Sequence, residues 1–181
     1  MKDYEKSIDL YGDKIGRVDY VSHMGSDLTV VNSARVSFGS QRDELDKRDR
    51  KLIRYLVAHK HTSTLEHCVI TFKFTVPLYI RSQHHRHRTW SYNEISRRYT
   101  DKKLQFYCPR EFRTQHKSNR QASNAEELID PHLWHDGECK ILPAFHPNAS
   151  EVYAGHCQSS LNLFHELVNK GVCREQARGV L

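Results

Sequence analysis

The chain has 181 residues, 38% hydrophobic, 10% aromatic and 28% charged, with a formal net charge of +6. That is chain enough for one domain and too aromatic for disorder, and no apolar run reaches the ~18 residues of a membrane helix, since even the 68–80 stretch carries Lys73. Collagen, coiled coil and membrane span are excluded. So is a disulfide framework: Cys68, Cys108, Cys139, Cys157 and Cys173 are scattered and include no CxxC pair, which makes a reducing, cytoplasmic setting the default. The opening MKDYEKSIDLYGD holds no continuous apolar block, so no secretory leader is expected.

In chain order, residues 14–22 set Ile15, Val18 and Val21 among polar residues and read as a short strand. Gly25-Ser26-Asp27 supplies a turn and an N-cap ahead of LTVVNSARVSF, a helix that Phe38-Gly39-Ser40 breaks. From Asp43 to His59, Leu45, Leu52, Ile53, Leu56 and Val57 recur at helical spacing, an amphipathic helix with these five facing inward. His61 to Glu66 is a polar turn. Cys68–Val76 alternates, with Ile70, Phe72, Phe74 and Val76 on one face, and reads as a half-buried strand. Pro77 ends it and opens a helix carrying Leu78 and Ile80 into a basic cluster that starts at Arg81.

Residues 89–125 lack periodicity and read as loop; within them 110–123 is either an exposed loop or a rim that draws an anionic tail. The loop-rich connection extends over 109–149, with Trp134 and Phe145, among Pro131, Pro143 and Pro147, pinning it to the body. Asn148-Ala-Ser-Glu151 caps a last long helix over 151–169, with Val152, His156, Leu161, Phe164, Leu167 and Val168 inward and Gly171 as its stop. The apolar ending ARGVL lacks a polar tail, so a longer protein is expected to continue here. One α+β domain over 1–181 accounts for these elements.

Charge is concentrated. Residues 81–120 hold 11 Lys+Arg against 3 Asp+Glu, a net of +8, and the remainder is close to neutral. Such a field suits a polyanion or phosphorylated small molecules. At its heart, residues 83–99 read QHHRHRTWSYNEISRRY, with Arg86, Arg88, Arg97 and Arg98 able to grip phosphate and Glu94 the sole acid. An acid there can accept from a sugar hydroxyl or ring N–H, or order the arginines. A nucleotide ligand and a solvated basic loop with one internal salt bridge both fit. Interleaved Trp90, Tyr92, Tyr99, Phe106 and Tyr107 leave single-stranded nucleic acid as the alternative partner. The histidines (His84, His85 and His87; His59, His61 and His67) lack the spacing of a helical zinc pair, and His132/His135 beside Asp130 and Asp136 would make at most a weak metal site.

Arg86-His87-Arg88-x-x-Ser91-x-Asn93-Glu94-x-Ser96-x-Arg98-Tyr99 resembles the RHRxxSxNExSxRY signature of flavin-dependent thymidylate synthases. Ala34-Arg35-Val36-Ser37-Phe38 is similar to that family's ARVS segment, His61-x-Ser63-x-x-Glu66-His67 to its HxSPFEH turn, and Gly171-Val-x-Arg174-Glu-x-Ala177-Arg178 to its GxxREqAR segment. Thr64-Leu65 departs from the Pro-Phe of the turn. The resemblance implies an α+β fold with an antiparallel-type sheet and flanking helices. It also implies an FAD enzyme that methylates dUMP to dTMP, with methylenetetrahydrofolate as carbon donor and NADPH as reductant. A homotetramer with shared active sites is implied too, with neither a nucleic-acid nor a membrane partner.

Carried over by position, Arg86, His87 and Arg88 would contact FAD, Ser63 would lie near its phosphates, Ser37 would line the flavin site, and Glu94 would be close to both ligands. Gln83, His84, His85, Arg86, Glu94, Ile95, Ser96, Arg97 and Arg98 would hold dUMP, with Arg178 reaching it from the later segment. Ser96 has no adjacent base that the sequence identifies, so it is expected to hydrogen-bond rather than act as nucleophile. The family's ring-polarising arginine and further flavin contacts would lie beyond Leu181, so residues 1–181 alone are expected to turn over little.

Overall fold

The structure, a computed structural model, describes residues 6–133 and 147–181. Trp134, His135, Asp136, Cys139, Pro143 and Phe145 lie outside the described residues. The fold is α+β with antiparallel sheets, as expected. Its contacts gather into two compact units, 1–76 and 77–181.

The first unit holds a three-stranded antiparallel sheet in the order β1 (Ser7–Asp9), β2 (Arg17–Met24), β3 (Val69–Thr75). The alternation of β3 is matched across the ladder, with Phe74 opposite Val18, Phe72 opposite Tyr20 and Ile70 opposite His23. Ile70 and Phe74 nevertheless stay exposed, so the strand is less covered than its pattern suggests. Between β2 and β3 run α1 (Asp27–Arg35), a 3-10 turn (Val36–Phe38), α2 (Lys47–Ala58) and a second 3-10 turn (Thr62–Thr64).

Ser26 caps α1 reciprocally with Thr29, as its position ahead of an apolar run requires. Gly25 precedes it at φ 86°, where a Cβ would come within 2.6 Å of Cys68 Sγ, so only glycine fits the entry to α1. Val30 and Val31 meet Leu56 in the core of this unit.

α2 starts later than the periodicity indicates, because Asp46 accepts from the backbone N–H groups of Arg48 and Asp49 and sets the N-terminus there. Leu45 thus precedes the helix. Val57 is 55% exposed, while Asp49, seven residues before Leu56 and so on the same stripe, is fully buried. Its carboxylate accepts from Arg35 on α1 at 2.5 Å.

The second unit begins with α3 (Leu78–His84), with Pro77 at its entry. An antiparallel pair follows, β4 (Phe112–Gln115) and β5 (Ser123–Ile129), in a region that reads as loop over 89–125. Side chains make this ribbon: Gln115 donates to the carbonyls of Asn119 and Ala122, and Thr114 and Asn124 both donate to Glu127. Backbone and polar pairing of this kind leaves no apolar alternation to read. The unit ends with α4 (Ala149–Asn169), α5 (Arg174–Ala177) and a 3-10 turn (Arg178–Val180).

Asn148 and Glu151 form the expected capping box on α4. Asp130 ties the helix start to the end of β5 by accepting from both the backbone N–H and the hydroxyl of Ser150. Cys157, Phe164 and Ala177 are buried. His156, expected inward, is exposed: the buried stripe runs through Cys157 and Phe164, seven residues apart, which turns position 156 outward.

Candidate functional site

In the first unit the end of α1 and the residues after α2 enclose an open cavity of about 470 Å³, lined by Ser33, Ala34, Ser37, Leu56 and residues 60–64. Two sequence-nominated residues, Ser37 and Ser63, meet on this cavity. Ser33 donates its hydroxyl to the carbonyl of Thr29, and Thr64 donates to that of His61. Among the described residues the hydroxyls of Ser37 and Ser63 have no such partner and remain available to a ligand. Lys60, at φ 58°, joins the lining. Sequence reasoning passed over it, although it stands directly ahead of His61-x-Ser63. Hydroxyls beside an ammonium make a cradle for an anion.

The signature, Arg86 to Tyr99, follows the end of α3 in chain without regular secondary structure. Tyr92 pins the turn, its hydroxyl lying 2.8 Å from the carbonyl of His84 and 2.9 Å from that of His87. The rings of His84 and His85 pack into an aromatic cluster. His84 meets Trp90 edge-on at 4.6 Å, His85 lies 4.3 Å from Tyr92, and Trp90 and Tyr92 are near-parallel. Gln83, Arg86, His87 and Arg88 are exposed around this cluster.

The charges sort themselves unevenly. Both oxygens of Glu94 face Arg81, with Arg81 Nη2 donating to Oε1 at 2.8 Å and Nε 2.7 Å from Oε2. Arg97 folds the following loop by donating to the carbonyl of Lys102 at 2.9 Å. Arg98 pairs with Glu175 at 3.2 Å, and Arg174 with Asp101 at 3.3 Å, so two ion pairs join the signature to the C-terminal segment. Asp101 is held below the usual carboxylate range by its own backbone N–H and then by Arg174. Among the described residues, no acid pairs with Arg86, Arg88 or Arg178.

Ser96 accepts at its hydroxyl from the backbone N–H of Arg98 at 3.3 Å, and neither a histidine nor a carboxylate hydrogen-bonds to it among the described residues. Ile95 and Tyr99 are exposed. Of the partners found here, Arg81, Asp101 and Glu175 went unnominated. Only the charge pattern hinted at them, since their pairing depends on how the loop folds. No cluster of three His, Cys, Asp or Glu suited to a metal occurs among the described residues, and no helix among them is long and apolar enough to cross a membrane.

Residues 19–181 match the profile of a family described as thymidylate synthase complementing protein. A flavin-dependent thymidylate synthase of Thermus thermophilus is 39% identical over 166 residues, covering 92% of this chain and 55% of that protein. The enzyme of the same name from Treponema denticola is 34% identical over 165 residues, 90% of this chain and 57% of its own. The chain thus spans about half the length of these curated relatives. Among solved structures, the UMP/dUMP methylase PolB of Streptomyces cacaoi bound with 5-Br dUMP superposes with a TM-score of 0.66 at 26% identity, covering 96% of this chain and 69% of that one. The same methylase bound with 5-Br UMP gives 0.62 at 27% identity, over 91% and 65%.

Proposed function

The chain belongs to the thymidylate synthase complementing protein family, and from that premise we propose that it forms one synthase domain, 1–181, of an enzyme that methylates dUMP to dTMP with FAD. The carbon donor is methylenetetrahydrofolate and the reductant NADPH. The enzyme works in the cytoplasm as a homotetramer that shares its active sites. The observation that carries this reading is the selective freedom of Arg86 and Arg88. Arg81, Arg97, Arg98 and Arg174 are engaged within the protein, while these two remain exposed on a turn that Tyr92 holds in shape.

Each unit by itself offers a donor set that suits part of a flavin dinucleotide. The free hydroxyls of Ser37 and Ser63 beside Lys60 suit its phosphate-bearing part, and Arg86, His87 and Arg88 offer two guanidinium groups and an imidazole. A bound flavin supplies the hydride chemistry that amino-acid side chains lack. The chain's own residues bind and orient. Glu94, held by Arg81, accepts from the nucleotide, and Gln83, His84 and His85 border it. Arg178 and, on leaving Glu175, Arg98 supply positive charge for its phosphate, Ile95 and Arg97 shape the loop, and Ser96 hydrogen-bonds rather than attacks. The bound nucleotides of the PolB structures support a uridine monophosphate as the substrate class.

The test uses the full-length enzyme, reading flavin from visible absorbance and dUMP from the spectral change it induces. Arg98→Ala weakens dUMP and retains flavin; Arg88→Ala weakens flavin and spares dUMP. Each removes one charge-assisted contact, about 1.5–3 kcal/mol. Unchanged affinity for both ligands in both variants overturns the assignment.

A further inference from the structure

Arg81 lies outside the signature, on α3, thirteen residues before Glu94. Glu94 sits in chain without regular secondary structure, so its backbone does not dictate where its carboxylate points. Arg81 does. A hydrogen bond of 2.8 Å from Nη2 to Oε1 and an ion-pair contact of 2.7 Å from Nε to Oε2 hold both carboxylate oxygens against Arg81. The Arg81 Nε is shielded from solvent and makes no aligned hydrogen bond, so its approach to Oε2 is an ion-pair contact beside the one hydrogen bond from Nη2.

The pair contributes little to folding, because the side chains are 36% and 50% exposed and water screens their attraction. Its specific geometry therefore asks for another purpose. A carboxylate has about four lone-pair directions, and the hydrogen bond from Arg81 uses one. The others remain open to an imide N–H or a ribose hydroxyl.

We propose that Arg81 is a positioning residue, which acts through Glu94 to set the hydrogen-bond acceptor that the pyrimidine nucleotide meets. This rests on the reading above that Glu94 faces the nucleotide. A lysine at 81 would keep the charge but lose the planar two-nitrogen fork.

A double-mutant cycle in the full-length enzyme tests it, reading dUMP affinity from the flavin spectrum alongside kcat and KM. Arg81→Ala weakens dUMP roughly tenfold, Arg81→Lys falls between, and both leave the thermal midpoint within a few degrees of the parent. In a Glu94→Gln background the same Arg81→Ala change shifts dUMP affinity by less than about twofold, because the negative charge and one of the two acceptor oxygens that Arg81 holds are gone. An equal loss in both backgrounds overturns the inference, since Arg81 would then act on the ligand or the fold directly. So does unchanged affinity in Arg81→Ala when Glu94→Gln weakens binding, and in that case the nucleotide reading survives. If Glu94→Gln leaves dUMP affinity unchanged, the placement of Glu94 fails first and the role of Arg81 with it.

Discussion

Asp49 shows how one residue can answer to two demands. It closes the capping box at the start of α2, and its carboxylate, fully buried, accepts from Arg35. The Arg35 hydrogen bond is the largest influence on it; burial opposes that, and the net result is a carboxyl held below its ordinary value. A depressed folded-state value means that the ionised form favours the native state. The contribution is therefore complete above the unfolded carboxylate range, near pH ~4, and fades as pH falls through the lowered value. Asp49→Asn is expected to lower the urea midpoint at neutral pH and to flatten its fall as the pH drops below about 4. Equal steepness in parent and variant would show that this carboxyl has no part in acid unfolding. Since Arg35 stands in the ARVS-like segment that leads to Ser37, the same pair holds the end of α1 where it borders the hydroxyl-lined cavity.

Elements in this protein are set by their ends and by one buried stripe. On α4 the stripe runs through Cys157 and Phe164, and Phe164 is wholly inaccessible. Phe164→Ala should cost about 3–5 kcal/mol, read as a drop in denaturant midpoint at constant slope. A loss under about 1 kcal/mol would mean that the site collapses around the gap. Both ends of α4, the Ser26 cap and the alternation of β3 were legible in the sequence, because caps and periodicity are local signals. What escaped was non-local. Asp49 displaces Val57 from the inward arc of α2 because Arg35, on another helix, neutralises it. The β4–β5 ribbon has no apolar alternation, its support coming from Gln115, Asn124 and Glu127 across the turn. At the site, the signature nominates candidate ligand residues, but the partners of Glu94, Arg98 and Asp101 lie 13 to 77 positions away, and no spacing rule reaches them.

For the molecule as a whole the open issue is what its basic segment attracts. Composition alone, +8 over residues 81–120, suits a nucleic acid as well as a nucleotide. Pairing within the fold alters that field only locally. Glu94 and Glu175 neutralise Arg81 and Arg98 and Arg97 is engaged with backbone carbonyls, while the other eight of the eleven cations have no acid partner among the described residues, so the two partners are told apart by how they respond to salt. Among the aromatic residues, Trp90 and Tyr92 lie near-parallel and each packs against His84, while Tyr99 is 81% exposed and open to an unstacked base. Salt separates the two partners sharply. A single strand releases condensed counterions, and its affinity falls with a log–log slope of about −0.7 per neutralised phosphate; a mononucleotide has no such atmosphere to release. Between 50 and 200 mM salt, dUMP affinity of the full-length enzyme should fall less than about tenfold, and a single-stranded oligonucleotide should fail to displace dUMP at the upper concentration. A strand that displaces dUMP there, with a slope worth several phosphates, would reassign these arginines from the monophosphate to a polymer, because the same few guanidinium groups cannot hold both at once.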